Sequence, residues 1–462
     1  MKSKIGILAV IILFLSCYSQ PNIISDDIDD SERTPQIISD SQSQDTTQVS
    51  QAPVTQAPVT PQAPVTPQSP VTPQAPVTQA PVTPQTPVIP QAPVIPQAPV
   101  TPQAPVIPQA PKIQDIPQSF SLTFVAAGDN LYHDSLINNG RQANGTYNYT
   151  SIYSDIKSIV ESADLAFINQ ETVMAGTNYG YSGYPAFNSP QALGKALAET
   201  GFNIFNLANN HAMDMGAAGL YATLDFLNTI EGITVIGARK QGDSARIVTC
   251  NNISLGFLSY TYGLNGIALP RDNPNLVSLI DRNKMTHEIS ALRPLCDFLI
   301  VSMHWGPEYA IEPAKSQTDL ALFLAELNVD LIIGHHPHVL QKVDTINLPD
   351  GRKTVCYYSL GNFVSHQNER ERIIGGMAKI TFTKEGMLLP TGELVVNNLD
   401  ISEFGMIPVI THFDRRYRNT RIIPFSVYTQ HLMDEHALRY IDNGLSMEFF
   451  NNVIKRLQTR IY

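Results

Sequence analysis

The sequence predicts an α/β fold, a mainly parallel or mixed sheet covered by helices, held behind a disordered proline-rich stalk. Short apolar runs alternate with segments whose apolar residues recur at helical spacing, which is the mark of packed βα units. Four of the apolar runs end in metal-type ligands: FVAAGD (124–129), IFNLANNH (204–211), LIVSMHWGPE (299–308) and LIIGHHPH (331–338). Loops just past strand C-termini are where open α/β sheets bind ligands, so chemistry on the same end of four runs points to one site. The stalk is equally legible: no charged residue occurs between Asp45 and Lys112, where the chain repeats QAPVT and QAPVTP.

In chain order, residues 1–17 read as a targeting segment. Lys2 and Lys4 precede an apolar core at 5–15, too short to cross a bilayer comfortably, and Ser16-Cys17 follows. The arrangement resembles a bacterial lipoprotein signal with Cys17 as the lipidated residue, although Phe14 stands where Leu is more usual. An ordinary secretory signal with an incidental Cys17 is the alternative, and export follows from both. Residues 18–50 are polar, acidic at first and then rich in Ser, Gln and Thr. Prolines through 51–111 fix φ and remove donors, leaving polyproline II. About 60 residues at about 3.1 Å each reach well over 100 Å, a spacer able to hold a domain off a membrane. A PxxP ligand is the alternative, but the segment has no Lys or Arg anchor.

The folded part opens with a strand at 121–127. A helix at 152–162 puts Ile152, Ile156, Ile159 and Val160 on one face, and a strand follows at 164–169. A helix at 191–200 stops at Gly201, a natural C-cap. Strands at 202–207, 234–236, 253–259, 298–303, 330–333 and 354–359 are interleaved with helices at 219–231, 281–292 and 316–327. Beyond Gly375 the pattern turns to irregular β segments and a closing helix at 447–459. Cys250, Cys296 and Cys356 lack metal-knot spacing and their odd count argues against a disulfide framework, while Cys296 and Cys356, within or beside apolar runs, read as buried free thiols. A net charge of −11, without the Lys/Arg density that nucleic acid requires, argues against such a partner.

The loop residues that carry chemistry are Asp129, Glu171, Asn210, His211, His304, Glu308, His335, His336 and His338. Carboxylates, an amide oxygen and imidazoles form a mixed N/O set suited to Mn, Fe or Zn. Their number exceeds one tetrahedral ion and points to two divalent ions, an arrangement that activates water for attack on phosphorus or carbonyl. Taken singly, each has a plainer reading. Asp129 fits a helix N-cap, Glu171 a solvated acid, Asn209-Asn210 a turn, and His304, beside the chain's only Trp, a packed core histidine. The three imidazoles at 335–338 resist that treatment, because they would repel on protonation unless a cation organises them.

GD (128–129), NQE (169–171), ANNHAMDMG (208–216), MHWGPE (303–308), IIGHHPHV (332–339) and YSLGNFV (358–364) resemble, in order and spacing, the CapA or poly-γ-glutamate capsule synthesis (PGA_cap) family. The resemblance covers residues 120–376. It implies the calcineurin-like metallophosphoesterase fold, a layered β-sandwich flanked by helices. It further implies that Asp129 ligates a first metal, Glu171 bridges, and Asn210 and His304 hold a second. His336 and His338 fit the closing H-x-H pair, and His211 the non-ligand histidine that protonates a leaving oxygen. His335 and Glu308 fall in the outer shell or substrate pocket, and Asn362 faces the site from the loop 359–363. The chain departs from the superfamily's Asp-x-His, since Asn130 and Leu131 follow Asp129 and His133 lies two places too far.

The resulting expectation has four parts. Residues 1–17 are a signal, 18–118 a linker, 119–376 a CapA-like domain and 377–462 an extension of that domain. The chain is expected in the bacterial cell envelope as a lipid-anchored protein. Its expected work is biosynthesis, attachment or remodelling of a surface polymer beside membrane synthase partners, through a dinuclear hydrolase. The alternatives are a phosphoesterase of unrelated exported substrates and a catalytically silent surface assembly protein of the same fold.

Overall fold

The computed structural model describes residues 115–242 and 245–462. The signal segment with Cys17 and the proline-rich repeats lie outside the described residues.

Two sheets are built in turn. The first begins with β1 (Ile116–Asn130), β2 (Leu165–Gln170), β3 (Ile204–Asn206) and β4 (Thr234–Ile236), all parallel and adjacent in that order. The chain then crosses to a second sheet of β5 (Arg246–Cys250), β6 (Ile253–Thr261), β7 (Phe298–His304), β8 (Leu331–His335), β9 (Val343–Asn347) and β10 (Lys353–Tyr357). Its spatial order is β5-β6-β7-β8-β10-β9, parallel in the middle and antiparallel at both edges. Finally the chain returns to the first sheet. There β11 (Asn362–Val364) runs parallel to the end of β1, and β12 (Ile374–Leu388), β13 (Leu394–His412) and β14 (Arg421–Pro424) extend the other edge.

Alternation along the strands sorts the core into layers. Phe124, Phe167, Phe257, Ile300 and Ile333 point between the sheets, where the Phe124 ring lies 6.0 Å from Phe257 of the opposite sheet. Val125, Ala127 and Ile168 point outward onto the helices Ala192–Thr200 and Gly216–Leu227. Leu258, Val301 and Ile332 do the same on the far face against Arg282–Leu292 and Lys315–Glu326. The result is the expected helix-flanked sandwich, with the central strands of both sheets covered on both faces. That double burial is why the central strands read as unbroken apolar runs.

Four expectations need correction. The helix expected at 152–162 is divided into a 3₁₀ turn, Thr150–Tyr153, and a short α-helix, Lys157–Glu161, although Ile152, Ile156 and Val160 still share a buried face. The irregular segments expected beyond Gly375 are one long hairpin of 15 and 19 residues, β12 and β13. Its outer half carries exposed Val395, Val396 and Leu399 among polar residues, so no apolar face marks it in the sequence. Pairing of β12 with Ile116–Ala127 also extends β1 five residues before 121, past Pro117, which sits at a strand start where no ladder donor is needed. Cys250, Cys296 and Cys356 are free, but only Cys356 is fully buried. No helix among the described residues is long and apolar enough to cross a membrane.

The closing part of the chain packs a histidine cluster on the first sheet. Burial depresses His412 to about 4, His436 to about 4 and His366 to about 3. The His436 geometry explains its neutrality: Nε2 donates to the Thr411 carbonyl (3.0 Å) while Nδ1 accepts the Leu438 N–H (3.1 Å). A second proton would destroy the latter bond. Because these folded values lie below the ordinary 6.5, the unfolded chain binds more protons between them. Stability is therefore intact above pH 6.5 and falls as pH drops toward 4. Urea titrations in chelator should show this loss, and His436→Gln should make the slope near pH 5 shallower by about 1.4 kcal/mol per pH unit. An identical slope in the variant would refute the assignment.

Candidate metal centre

Parallel register sets the site. Asp129 of β1 lies beside Asn169 of β2, and Asn169 beside Asn206 of β3. On the second sheet Thr261, His304 and His335 stand side by side at the ends of β6, β7 and β8. The two rows face one another across one rim of the sandwich. They are stitched beneath it by Asn206, which donates to Ser302 Oγ (3.3 Å) and accepts from Ser259 (2.6 Å). Two glycines let the backbones close. A Cβ at Gly128 would stand 2.1 Å from the Gly361 carbonyl oxygen, and one at Gly334 2.0 Å from that of Tyr358.

Every metal-type residue read from the sequence converges here. Asp129 Oδ2 lies 3.1 Å from His338 Nδ1 and accepts the His336 backbone N–H (3.2 Å), while Oδ1 lies 3.3 Å from His335 Nδ1. Glu171 Oε1 is 3.4 Å from His304 Nε2 and 3.8 Å from His338 Nε2. Asn210 Oδ1 meets His304 Nε2 at 2.8 Å, its orientation fixed by the amide nitrogen donating to Asn265 (3.1 Å). The His304 and His336 rings lie 4.8 Å apart. His336 and His338 sit at φ 95° and 58°, either side of Pro337. Left-handed backbone at two non-glycine residues costs about 1–3 kcal/mol each and persists where the surroundings impose it, most often at functional sites.

The donor atoms meet in two groups, Asp129/Glu171/His304 and Glu171/His336/His338, each with its atoms within 4.8 Å of one another. Glu171 belongs to both. Its two carboxylate oxygens, His304 Nδ1, both His335 ring nitrogens and His336 Nδ1 are buried without a hydrogen-bond partner. Buried polar atoms are nearly always satisfied, so a cluster of exceptions on N and O donors fits a cation better than it fits packing.

Electrostatics agree. Burial alone would raise Asp129, but the facing His335 and His338 rings hold its carboxyl well below the usual range. Burial and the Asp129 charge push Glu171 up to about 8. Burial would lower His338, but the facing carboxylates outweigh it and raise the ring to about 9. Asp129, the nearer of the two, is the one that stays charged against it. Burial keeps His304 and His336 neutral, which is the form that binds metals.

The remaining site residues take different places. His211 sits at the rim, with Nδ1 2.8 Å from Asp214 Oδ2 and its ring edge-on to Phe187 at 4.7 Å. His335 is fully buried and stacked on Phe167, with Nδ1 3.3 Å from Asp129 Oδ1. Glu308 is exposed, close enough for its charge to act on His336 and His338. Asn362 is buried and engaged: Oδ1 is 3.0 Å from His338 Nδ1, and Nδ2 donates to Gln367 and to the Arg372 carbonyl. It orients His338 and has no amide hydrogen left for a ligand. Leu131 is buried without a ligand atom, and the His133 ring packs against Phe187 at 5.5 Å.

Sequence reasoning missed several contributors. Asn169 donates to Asp129 Oδ1 (2.8 Å) and accepts from Asn206 (2.8 Å), so two strand-end asparagines aim the first carboxylate. Asp214, three residues after His211, was visible only as part of a motif. Tyr262, half exposed and 4.6 Å from the His336 ring, gave no signal at all.

A helix-flanked sandwich with a buried N/O donor cluster on its rim defines a protein of the α/β class with a candidate metal centre. Residues 123–367, just over half the chain, match the family described as "Bacterial capsule synthesis protein PGA_cap", and the chain belongs to that family. The PGA biosynthesis protein CapA of Bacillus subtilis (strain 168) is 31% identical over 221 residues, covering 46% of this chain and 55% of that one. The capsule biosynthesis protein CapA of Bacillus anthracis is 29% identical over 230 residues, covering 48% and 53%. The chain thus spans about half the length of these curated relatives. Among solved structures, a putative 5'-nucleotidase from Staphylococcus aureus overlaps at 12% identity over 73% of this chain and 58% of that one, with a TM-score of 0.37. The purple acid phosphatase PPD1 of yellow lupin overlaps at 12% identity over 60% and 53%, with a TM-score of 0.33.

Proposed function

We propose that the rim holds two divalent cations, Mn, Fe or Zn, and that the protein is a metal-dependent hydrolase. Its substrate would be a surface polymer of the poly-γ-glutamate or capsule type, acted on during biosynthesis, attachment or remodelling. The observation that carries this is Glu171, buried, without hydrogen bonds, and common to both donor groups. Asp129, His304 and Asn210 would complete one position, and His336 and His338 the other. When bound, the ions supply Lewis acidity and lower the pKa of water.

The protein's own residues do the rest. Asn169 and Asn362 fix the carboxylate of Asp129 and the ring of His338. Asp214 holds His211 by Nδ1, so the proton available to a leaving group is the one on Nε2, which has no hydrogen bond to the protein among the described residues. Metal analysis of the purified chain should return about two ions. A screen of γ-glutamyl and phosphoester substrates should show turnover with Mn that chelator removes. No bound metal after Mn or Zn incubation would overturn the reading. Leu131, which offers no ligand two residues after Asp129, favours the catalytically silent assembly protein as the second reading, and that reading predicts no turnover. Metal-dependent cleavage of phosphoesters alone would support the third, a phosphoesterase of unrelated exported substrates.

Export and anchoring belong to the same proposal, since a polymer outside the cell is met only by an exported enzyme. Cys17→Ser should move the protein from the membrane to the soluble fraction. Unchanged membrane retention would exclude Cys17 as a lipid site.

A further inference from the structure

Three arginines in the turn between β13 and β14, Arg415, Arg416 and Arg418, are joined by Arg421 at the start of β14, in a chain of net charge −11. Two are committed. Arg421 grips Asp155 through two hydrogen bonds (2.6 and 2.8 Å), and the Arg415 guanidinium lies 3.1 Å from the Tyr440 ring centroid. Arg416 and Arg418 are exposed and have no ion-pair partner among the described residues.

The turn is well built. Asp414 accepts the backbone N–H groups of Arg416 and Arg418 (2.8 and 2.9 Å) and the Asn419 amide (2.9 Å). The Tyr417 ring stacks on Phe413 at 5.0 Å, and its carbonyl accepts from Asn139 (3.0 Å). The local carboxylate is thus occupied by backbone and amide groups inside the turn and forms no ion pair with either guanidinium among the described residues. Across from them stands Arg141, exposed and likewise without an ion-pair partner among the described residues. The three arginines line one pocket of about 730 Å³ with Asn138, Asn419 and Gln142, and no carboxylate borders it.

Like charges gathered in a pocket whose lining holds no carboxylate repel, and a planar guanidinium fork is shaped for carboxylate or phosphate. The amide side chains decide between these. The Asn138 side chain makes no hydrogen bond among the described residues, and that of Gln142 uses only its nitrogen, on the Gly140 carbonyl. Free amide groups match the C=O and N–H of an amide-linked backbone, which a polyol-phosphate chain lacks. The pocket also adjoins the rim. One wall is the helix Asp134–Asn139, six residues or about 9 Å long, and His133 at its start packs on Phe187, which packs on His211.

We propose that this pocket is a second, cationic binding site that holds an amide-linked polyanionic chain while another stretch of that chain reaches the metal rim. Arg416 and Arg418 lie outside the family-matched residues 123–367, so nothing in the family match assigns the site. The proposal rests on the polymer reading above.

The test is fluorescence anisotropy of the full chain with a labelled oligo-γ-glutamate of about ten units, each at least about 3.5 Å, enough to span the helix. Arg416→Ala/Arg418→Ala should weaken binding about tenfold or more at low salt and flatten its salt dependence. Arg141→Ala should weaken it less, and Lys353→Ala on another face should leave it unchanged. Wild-type affinity in the double variant would overturn the site. Tighter binding of a polyol-phosphate chain of equal charge would overturn the amide-linked assignment. So would binding to anionic vesicles that the double variant loses while oligo-γ-glutamate binding persists. His336→Ala, which removes a metal donor, should keep the oligomer bound. If the double variant loses binding but no metal supports turnover, the site stands and the hydrolase reading fails.

Discussion

His211→Asn should lower kcat about 10²–10⁴-fold on any substrate found, while leaving metal content intact. The reason is geometric. His211 reaches the rim one residue after Asn210, yet its Nδ1 is taken by Asp214 at 2.8 Å and it belongs to neither donor group. A proton donor in that place acts when a leaving oxygen gains charge, so its loss is felt in the transition state and little in the ground state. Stability should change modestly, because Asp214 keeps the Phe187 N–H (2.7 Å), and the loss amounts to about one hydrogen bond, about 1 kcal/mol. Asp214→Asn should lower kcat by less and leave KM near its original value, as a positioning residue should. Full activity in His211→Asn would end the proton-donor assignment. His211→Asn losing metal would instead make His211 a ligand.

The parts of this molecule that were legible in the sequence are those where local pattern and tertiary environment coincide. β2, β3, β7, β8 and β1 from Phe124 onward are buried on both faces, so their apolar runs are continuous and polar residues mark the rim. That is why Asp129, Glu171, Asn210, His304, His336 and His338 could be named together. The roles of Asn169 and Asn206 could not be. They depend on which strand lies beside which, and in what register, and one residue's slip would turn both amides to the other face. Asn362 shows the same limit in reverse. It was expected to face the site from the loop 359–363, but its engagement with His338 and the Arg372 carbonyl is set by a loop returning from the second sheet to the first. The β12–β13 hairpin was illegible for another reason. Its outer half stands in solvent, where no apolar period is required of it, and its length is fixed by the partner strand.

Glu171→Gln should reverse the order of stabilities between the metal-free and metal-loaded protein. Without metal, burial and the Asp129 charge push the Glu171 carboxyl up to about 8, far above an unfolded value near 4. The folded chain then binds more protons than the unfolded one, so stability falls as pH rises from about 4 through about 8. An amide cannot ionise and is close in shape to the protonated acid, so the metal-free variant should equal or exceed the wild type in melting temperature at pH 8. With metal the comparison inverts. A ligand at 100 times its Kd stabilises by about 2.7 kcal/mol, which for a chain of this size is on the order of 5 °C in Tm. The variant should forfeit most of that gain, since the residue common to both donor groups has lost its charge. Scans at pH 8 in chelator and in excess Mn decide the matter. A variant less stable under both conditions would mean that Glu171 serves packing alone, and an undiminished metal-induced shift would mean that it does not join the two positions.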